Sequence, residues 1–374
     1  MEGPSSREVQ ARLLAWFDAG HRDMPWRRTK DPYRILVAEV LLQRTRVVSG
    51  TPYYERFVTR FPDVQALAAA SEEEVLQAWE GLGFYRRARN LHAAAKAIVR
   101  DHGGSVPSTA TSLAALPGIG PYTAGAVASI AFGEPVPAVD GNVTRVLARL
   151  FAVETDVTAR PGRMRIAELA RELVPGRRPG AFNQALMELG ATLCTPTRPA
   201  CRTCPLGDTC LAYHGGLQDS LPRTRAARPP KAVAVAFAFI HSRGRTLLVR
   251  RGDAGLLGGL WSLPGGEVSP GQDGTKSLRD LVAAQTGIRI AVREDVARIA
   301  HTFSHRRWTG SVYRCVPVAR EEPSAAARWV TLPETRGMPL VPAHRKILDE
   351  LGSRRSLESF VETGPSRPKR RPYQ

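Results

Sequence analysis

The sequence is short of acidic residues and has no long apolar run. Against 53 Lys and Arg residues stand 35 Asp and Glu residues, which leaves a formal net charge of +18. This excess favours a polyanionic partner, with nucleic acid ahead of an anionic membrane surface. No apolar stretch reaches the roughly 18 residues of a transmembrane helix, so we expect no membrane association.

Cysteine is also scarce, and its distribution is uneven. The 374 residues include five cysteines, and four of them are Cys194, Cys201, Cys204 and Cys210. Such a cluster indicates a metal site in a reducing compartment rather than a disulfide framework. The first residues lack a basic region followed by an apolar stretch, so we expect no secretion signal and a cytoplasmic protein, nucleoid-associated if bacterial.

The motif that organises the first half is a glycine turn within residues 116–124. Proline lacks a donor and glycine frees the backbone, so this turn interrupts a helix and predicts a helix-hairpin-helix unit over residues 112–130. The N–H groups that open the second helix would bind a phosphate, and we assign Gly118 and Gly120 to that site. The alternative is an ordinary helix–helix turn, which Asp140, twenty residues after Gly120, disfavours.

Glu39 is an acidic residue in the apolar stretch 36–42. Asp31 as N-cap and Pro32 as first helical residue predict a helix over residues 33–48. A carboxylate among aliphatic residues is costly unless paired or functional, and burial would raise its pKa enough for proton donation near neutral pH. The alternative is an exposed glutamate on the polar face. Gln43, one turn on, would face the same ligand.

Residues 81–89 contain two glycines, two aromatic residues and three arginines. Aromatic rings beside cations are typical of a nucleic-acid surface, although a solvated basic helix face would look similar. No strand pattern occurs before residue 231, so we predict an all-α domain over residues 1–214. Its cysteine loop, residues 194–210, contains one C-x2-C pair, whereas zinc sites usually have two; zinc and an iron–sulfur cluster both stay open on these residues alone.

In the second half the spacing of apolar residues changes from a helical to an alternating pattern. Residues 215–231 hold glycine, proline and arginine without apolar periodicity and predict a linker. Strands are predicted at 232–240, 246–250, 312–318 and 328–330, and helices at 275–286 and 343–351, which gives an α+β domain over residues 232–352. Residues 353–374 predict a basic, disordered tail. The chain length also favours two domains.

Together these features resemble the adenine DNA glycosylases of the helix-hairpin-helix-Gly/Pro-Asp superfamily, over nearly the whole chain. The resemblance rests on Glu39, on the hairpin with Asp140, on the cysteine loop and on the α+β second half. It implies a multidomain fold, an all-α glycosylase core with a Nudix-like C-terminal domain. It also implies a 4Fe-4S cluster bound by the four cysteines listed above.

The second domain resembles a Nudix hydrolase that has lost its metal ligands. The matching register includes Gly266 and Gln272, and the Glu-Glu pair of the Nudix motif is Ala284-Gln285 here. A divalent metal needs several hard oxygen ligands, so nucleotide hydrolysis is not expected. The resemblance implies instead that the domain reads the lesion, through a loop that contacts 8-oxoguanine opposite the adenine: Phe303, Ser304 and His305.

The resemblance further implies the chemistry. The adenosine must be flipped out of the stack. Glu39 would protonate adenine and later activate water, while Asp140 would stabilise or transiently trap the oxocarbenium-like sugar. Tyr122 and Asn142 would hold these two acids. Because bifunctional relatives have lysine where Tyr122 stands, we predict a monofunctional glycosylase. The adenine pocket is matched by Trp26, Arg27, Gln43 and Gln184.

Two positions depart from the family pattern. Arg44 replaces a glutamine that wedges the duplex, and it could insert or bind phosphate; continuing the helix places it at the pocket rim. Phe84 replaces a tyrosine and keeps the stacking surface.

The expected partner is double-stranded DNA containing A:8-oxoG or A:G mismatches, and the expected state is a monomer; the sequence identifies no protein partner. The alternatives are an endonuclease III-like or T:G mismatch glycosylase, a non-catalytic DNA-binding homologue, and a Nudix hydrolase with a DNA-binding arm.

Overall fold

The computed structural model describes residues 3–225, 229–252, 255, 257–269, 273–303, 305–319 and 321–353. They fall into two compact units, Met1–Ala227 and Arg228–Gln374. Gln272, Ser304 and residues 354–374 of the predicted tail lie outside the described residues.

The described part of the first unit is helical, as predicted, with short 3-10 turns at Pro25–Arg27, Cys201–Thr203 and Gly207–Thr209 and a π-helical turn at Ala128–Phe132. Its helices are α1 (Ser6–Gly20), α2 (Pro32–Leu41), α3 (Val47–Arg60), α4 (Val64–Ala69), α5 (Glu72–Ala78), α6 (Arg86–His102), α7 (Ala110–Ala114), α8 (Pro121–Val127), α9 (Gly141–Leu150), α10 (Arg160–Leu173), α11 (Pro179–Thr192) and α12 (Leu211–His214).

The helix predicted over residues 33–48 is wrong at its C-terminal end. It begins as expected, with Asp31 accepting hydrogen bonds from the N–H groups of Tyr33 and Arg34. It ends at Leu41, and Arg44 adopts a left-handed conformation with φ of 59°. The buried guanidinium of Arg87 donates to the carbonyls of Val40, Leu41 and Gln43, which a continuing helix would have used itself. A long-range contact therefore ends this helix.

The helix-hairpin-helix prediction is confirmed by α7, the glycine turn and α8. Gly118 has φ of 71°, and a Cβ there would lie 2.4 Å from the Asn90 side chain. Within α8, a Cβ on Gly125 would lie 2.2 Å from the carbonyl oxygen of Pro137. These glycines let the hairpin approach α6 and let α8 pack against the segment that leads to Asp140.

The predicted linker over residues 215–231 is longer than the structure allows. Leu221 is buried and its carbonyl accepts a hydrogen bond from Arg149. Arg223 forms a salt bridge with Glu154, and its carbonyl accepts from the N–H of Val157. Residues up to Arg223 thus pack on the first unit. They do so mainly through backbone hydrogen bonds and a salt bridge, which leave no apolar periodicity in the sequence to predict the packing.

The described part of the second unit is a mixed seven-stranded sheet with helices, which confirms the α+β prediction. The elements are β1 (Lys231–Ser242), β2 (Arg245–Arg250), β3 (Trp261–Ser262), β4 (Gly265–Glu267), α13 (Gly274–Thr286), β5 (Ile290–Thr302), β6 (Arg306–Pro317), β7 (Ala327–Val330), α14 (Leu332–Thr335) and α15 (Pro342–Ser353). β1 lies between β2 and β6; β3 and β5 form the edges, while β4 also pairs with β1 and β7 with β2. Only the β1–β6 pairing is parallel among these strands.

Gln285, which stands at a glutamate position of the Nudix motif in the register given above, joins α13 to β4. Its Oε1 accepts from the N–H of Gly265 at 2.9 Å, and its Nε2 donates to the carbonyl of Gly265 at 2.9 Å. A primary amide can do both, whereas a carboxylate can only accept. Gly265 itself has φ of 128°, which favours glycine.

We predict that Gln285→Glu lowers the free energy of unfolding of the second unit by about 1–3 kcal/mol, because the carbonyl of Gly265 loses its donor and faces a negative charge. Chemical denaturation of the full chain measures the effect. The matched control is Ala284→Glu, which places the same charge on the neighbouring, exposed residue. Equal stabilities of the two variants would contradict the role of this amide.

Candidate active site

One cleft in the first unit gathers side chains from several segments. Its cavity volume is about 150 Å³, a size at which an engineered apolar cavity holds benzene, so it suits a single planar ring. The segments include the turn at Pro25–Arg27, helix α2, helix α8, the start of α9, and α11. Among the predicted site residues, those that line it are Trp26, Arg27, Glu39, Tyr122, Asp140, Asn142 and Gln184.

Glu39 lies in the last turns of α2 and is 8% exposed. Burial raises its pKa to about 7; the hydrogen bond from Tyr122 opposes this shift, the charge of Asp140 adds to it, and the charge of Arg27 opposes it. The alternative of an exposed glutamate is thereby excluded. A carboxyl group with a pKa near neutrality can both give and take a proton at physiological pH.

Tyr122, the second residue of α8, donates its hydroxyl to Oε2 of Glu39 and lies 3.3 Å from the sulfur of Met187. Burial, followed by the charges of Glu39 and Asp140, raises the pKa of this phenol well above its ordinary value. The hydroxyl therefore stays protonated and fixes one carboxyl oxygen while the other remains available.

Asp140 is the N-cap of α9, where its Oδ1 accepts from the N–H of Val143 at 2.7 Å. Asn142 donates to Oδ2 at 2.9 Å, and Arg145 donates to Oδ1 of Asn142 at 2.9 Å. Burial raises the pKa of Asp140, while the hydrogen bonds from Val143 and Asn142 and the charge of Arg145 oppose the rise. This carboxyl group is held in place by hydrogen bonds, and burial still leaves its pKa raised.

Glu188 is a cleft residue that sequence reasoning missed. It is 2% exposed, and its two oxygens accept from Arg22 at 2.6 and 2.8 Å and from Arg27 at 2.9 Å. Burial raises its pKa, but the hydrogen bonds from Arg22 and Arg27 outweigh burial and leave it lowered. The available signal was the one used for Glu39, an acidic residue inside an apolar helix.

Trp26 and Gln184 form the walls of the cleft. Trp26 is 7% exposed and packs edge-on against Tyr54, with ring centroids 5.2 Å apart. Gln184 donates from Nε2 to the carbonyl of Gly180 at 3.3 Å, so its Oε1 is directed away from the helix backbone. An indole face and an amide are suitable for stacking and for hydrogen bonding to a base.

Gln43 does not share the face of Glu39, contrary to the prediction. Because α2 has already ended, Gln43 lies in the turn after it, and its Nε2 donates to the hydroxyl of Thr123 at 3.0 Å. Among the described residues, those lining the cleft include Leu42 and Thr45 but not Gln43. Gln43 links α2 to α8 and touches the cleft only indirectly.

Arg44 and Phe84 lie outside the cleft lining and form an exposed pair. The guanidinium carbon of Arg44 is 4.8 Å from the ring centroid of Phe84, which is 43% exposed. Arg44 is at the surface, as expected, but because the helix ends and not because of helical register. The predicted basic surface of residues 81–89 also needs correction, since Arg87 is buried and contacts protein.

The four cysteines cluster beside α9. Arg145 and Arg149 bind this loop: Arg145 donates to the carbonyl of Cys194 at 2.7 Å, and Arg149 to that of Thr195 at 2.7 Å. Burial, and after it the charges of neighbouring cysteines, raises the pKa of the thiols of Cys201, Cys204 and Cys210, that of Cys204 to about 12. No group of three or more His, Cys, Asp or Glu side chains in the described ranges is arranged to hold a single metal ion.

Phe303 and His305 belong to the connection between β5 and β6. Phe303 is half-buried and packs edge-on against Trp308, with centroids 4.8 Å apart. His305 is exposed, and its carbonyl accepts from the N–H of Lys231 at 3.0 Å. The predicted role of Ser304 falls outside the described residues. The loop is thus anchored by an aromatic contact and presents His305 to solvent.

Comparison with known proteins gives the family. The sequence model of the HhH-GPD superfamily base excision DNA repair proteins matches residues 37–176, and that of the NUDIX domain matches residues 235–350. The adenine DNA glycosylase of Rattus norvegicus is 37% identical over 392 residues, which cover 90% of this chain and 76% of that protein. This chain belongs to the adenine DNA glycosylase family.

Two further similarities support the assignment. The adenine DNA glycosylase of Mycobacterium tuberculosis is 44% identical over 241 residues, covering 64% of this chain and 77% of that protein. A solved thermostable thymine-DNA glycosylase is 31% identical with a TM-score of 0.52, and the match covers 56% of this chain and 97% of that one. Family membership makes the chain a base-excision repair enzyme of the DNA glycosylase class.

A membrane crossing would need a longer and more apolar helix than any in the described residues.

Within the part of the chain that the structure describes, three carboxyl groups line the cleft. Glu39 and Asp140 are those predicted for glycosidic bond chemistry, and Glu188 is paired with Arg22 and Arg27.

We predict that Glu39→Gln stabilises the folded protein at high pH and not at low pH. The folded pKa of about 7 is raised above the ordinary 4.5, so ionisation of Glu39 opposes folding progressively between those values and fully above them. Since one pKa unit corresponds to about 1.4 kcal/mol, the difference should reach up to about 3 kcal/mol.

Unfolding measured by denaturant at about pH 4 and about pH 8 tests this, with the exposed Glu55→Gln as control. A pH-independent difference between Glu39→Gln and the wild type would show that Glu39 is not desolvated in solution.

Proposed function

We propose that the protein removes adenine paired with 8-oxoguanine or guanine from double-stranded DNA by hydrolysing the N-glycosidic bond. The observation that carries this proposal is the pair of carboxyl groups in one ring-sized cleft, Glu39 held by Tyr122 and Asp140 held by Asn142. The cleft is too small for a stacked base pair, so the adenosine must be flipped into it.

Glu39 acts first, as the acid that protonates the departing adenine. Its pKa of about 7 keeps a substantial protonated fraction at neutral pH, which the ordinary pKa of a glutamate would not. Trp26 stacks on the base, and Arg27, held by Glu188, and Gln184 bind its edges. Departure of a neutral base avoids the poor anionic leaving group.

Asp140 acts on the positive charge that then develops on the sugar. Its hydrogen bonds with Val143 and Asn142 favour the ionised form and oppose the pKa rise that burial causes, and we assign the acid role to Glu39 and the carboxylate role to Asp140. The carboxylate stabilises the oxocarbenium-like sugar or bonds transiently to C1′. Glu39, now ionised, activates the water that completes hydrolysis. Tyr122 has no amine, so no Schiff base forms and the strand stays intact.

The second unit supplies the preference for 8-oxoguanine. This role is proposed for the loop containing Phe303, Ser304 and His305, in which Phe303 packs edge-on against Trp308 and His305 is exposed. Metal-dependent nucleotide hydrolysis is not proposed for this unit, because Gln285 is engaged with Gly265 and Ala284 offers no oxygen ligand.

The four cysteines fit a 4Fe-4S cluster. Their thiols are close enough to raise one another's pKa, a repulsion that bound iron would relieve by binding the thiolates. Each cysteine of such a cluster binds a different iron, so the sulfurs need not converge on one ion as around zinc. Bound there, the cluster would order the loop with Arg198 and Arg202, which supplies cations for the phosphate backbone.

We predict that the wild type excises adenine from A:8-oxoG faster than from A:G duplexes and cuts the strand only after alkali. Asp140→Asn should lose at least about 10²-fold in single-turnover rate with nearly unchanged mismatch affinity, because the carboxylate acts on charge that exists only near the transition state. Asparagine retains the oxygen that caps α9, so the fold should persist.

Duplexes with T:G or thymine glycol are the comparison substrates. The similarity to a thymine-DNA glycosylase favours T:G activity as the second candidate, and faster cleavage of T:G than of A:8-oxoG would replace the proposal with that function. An Asp140→Asn variant that retains a tenth of the rate would remove Asp140 from the mechanism.

We predict that protein purified without oxygen contains about four irons and about four sulfides per chain, the stoichiometry of the proposed cluster. Metal analysis and visible absorption measure this. Cys204→Ser should lose most of the iron, whereas Cys315→Ser, a buried cysteine of the second unit, should not. Stoichiometric zinc without iron would contradict the cluster.

A further inference from the structure

Cations and aromatic rings alternate from the surface of the first unit into its core. The guanidinium of Arg44 lies over Phe84 at 4.8 Å, that of Arg87 lies over Phe84 at 5.5 Å, and Arg87 also lies over Trp79 at 5.4 Å. Arg44 and Phe84 are exposed, whereas Arg87 is 9% and Trp79 0% exposed. We call these four residues the cation–aromatic ladder.

Arg87 is the member of the ladder that contacts the catalytic helix. Its Nη1 donates to the carbonyl of Leu41 at 2.7 Å and to those of Val40 and Gln43. Its Nη2 donates to the carbonyl of Gly83 at 3.2 Å, next to Phe84. One buried guanidinium thus joins the end of α2 to the loop before α6.

The two turns joined in this way carry the exposed pair. Arg44 has φ of 59° and Phe84 has φ of 49°, left-handed conformations that non-glycine residues adopt rarely. Both conformations persist because Arg87 binds the carbonyls beside them, at Gln43 and Gly83. The exposed pair and the end of α2 therefore depend on the same side chain.

We propose that Arg87 is a positioning residue of the glycosylase, holding the Arg44–Phe84 pair for contact with duplex DNA and, through the end of α2, holding Glu39 in its dry position. This inference rests on the proposed function. Glu39 is two residues before Leu41, so freeing the carbonyls of α2 loosens the turn that carries it. The charged or titratable groups that face Glu39 are Tyr122 of α8, Asp140 at α9 and Arg27 of the 3-10 turn.

The decisive variant is Arg87→Lys, which keeps a cation but loses the planar fork that binds several carbonyls at once. Single-turnover excision from A:8-oxoG at saturating enzyme should fall about 10- to 100-fold, the cost of a small misplacement of a catalytic group. Water reaching Glu39 should lower its pKa, so the rate should be lost at lower pH than in the wild type.

His92→Ala is the matched control for destabilisation. His92 lies on the same helix, is 3% exposed and bonds through Nε2 to the carbonyl of Ala70, the residue after α4, at 3.0 Å. At a similar loss of thermal stability, His92→Ala should leave the alkaline limb of the pH–rate profile unchanged. Arg87 has no positioning role if Arg87→Lys keeps the wild-type rate and the wild-type alkaline limb. The same conclusion follows if His92→Ala changes the rate and the alkaline limb as much as Arg87→Lys does.

A second variant and a second measurement keep the test decisive. Should Arg87→Lys fail to fold, Trp79→Phe removes the bond from Nε1 to the carbonyl of Gly83 and reduces the ring face over which Arg87 lies. It should shift the alkaline limb of the pH–rate profile in the same direction by less; no shift overturns the proposal. Independently of any activity, the pH-dependent stability difference between Glu39→Gln and Glu39 should shrink in the Arg87→Lys background. An undiminished difference refutes the inference even if the proposed substrate is wrong.

Discussion

Desolvation of the Glu39 carboxyl group is the constraint on which the first unit depends. A charge buried in the apolar wall of α2 is unfavourable, and the chain tolerates it by supplying a phenol donor from α8 and by keeping the proton on the carboxyl group near neutrality. The same low-polarity surroundings would make a proton transfer to a bound base effective. Asp140 differs because its backbone and amide donors oppose part of the pKa rise that burial causes. Glu39 and Asp140 thus line one cleft in different local environments.

Buried and half-buried arginines provide much of the support around this cleft. Arg87 binds the end of α2, Arg145 supports Asn142, and Arg149 ties the cysteine loop to α9. Each uses a planar fork of donors to satisfy several backbone carbonyls where regular structure ends. Part of the chain's positive charge is therefore structural, and net charge alone overstates the surface available to DNA. The sequence shows how many arginines exist but not which of them are turned inward.

Local signals predicted local structure well. The Asp31-Pro32 start of α2, the hairpin glycines and the strands with apolar alternation are confirmed because each depends on nearby residues. The helix end at Leu41 was missed because its cause, Arg87, lies 46 residues away, and Gln43 was misplaced for the same reason. β5 was missed because its burial is irregular, with two register shifts against β6. Glu39, Tyr122, Asp140 and Asn142 meet as the family resemblance implied, while their roles stay predictions.

The amide of Gln285 has an evolutionary consequence. In the register of the Nudix motif this position belongs to a glutamate, whereas this chain uses an amide to hold the backbone of Gly265, and only an amide satisfies both groups. A carboxylate introduced here would remove a fold contact before a complete metal site existed, since the neighbouring position is alanine. A single substitution towards the Nudix motif therefore produces a weakened intermediate that gains no metal site, and the packing of α13 against β4 favours keeping the amide.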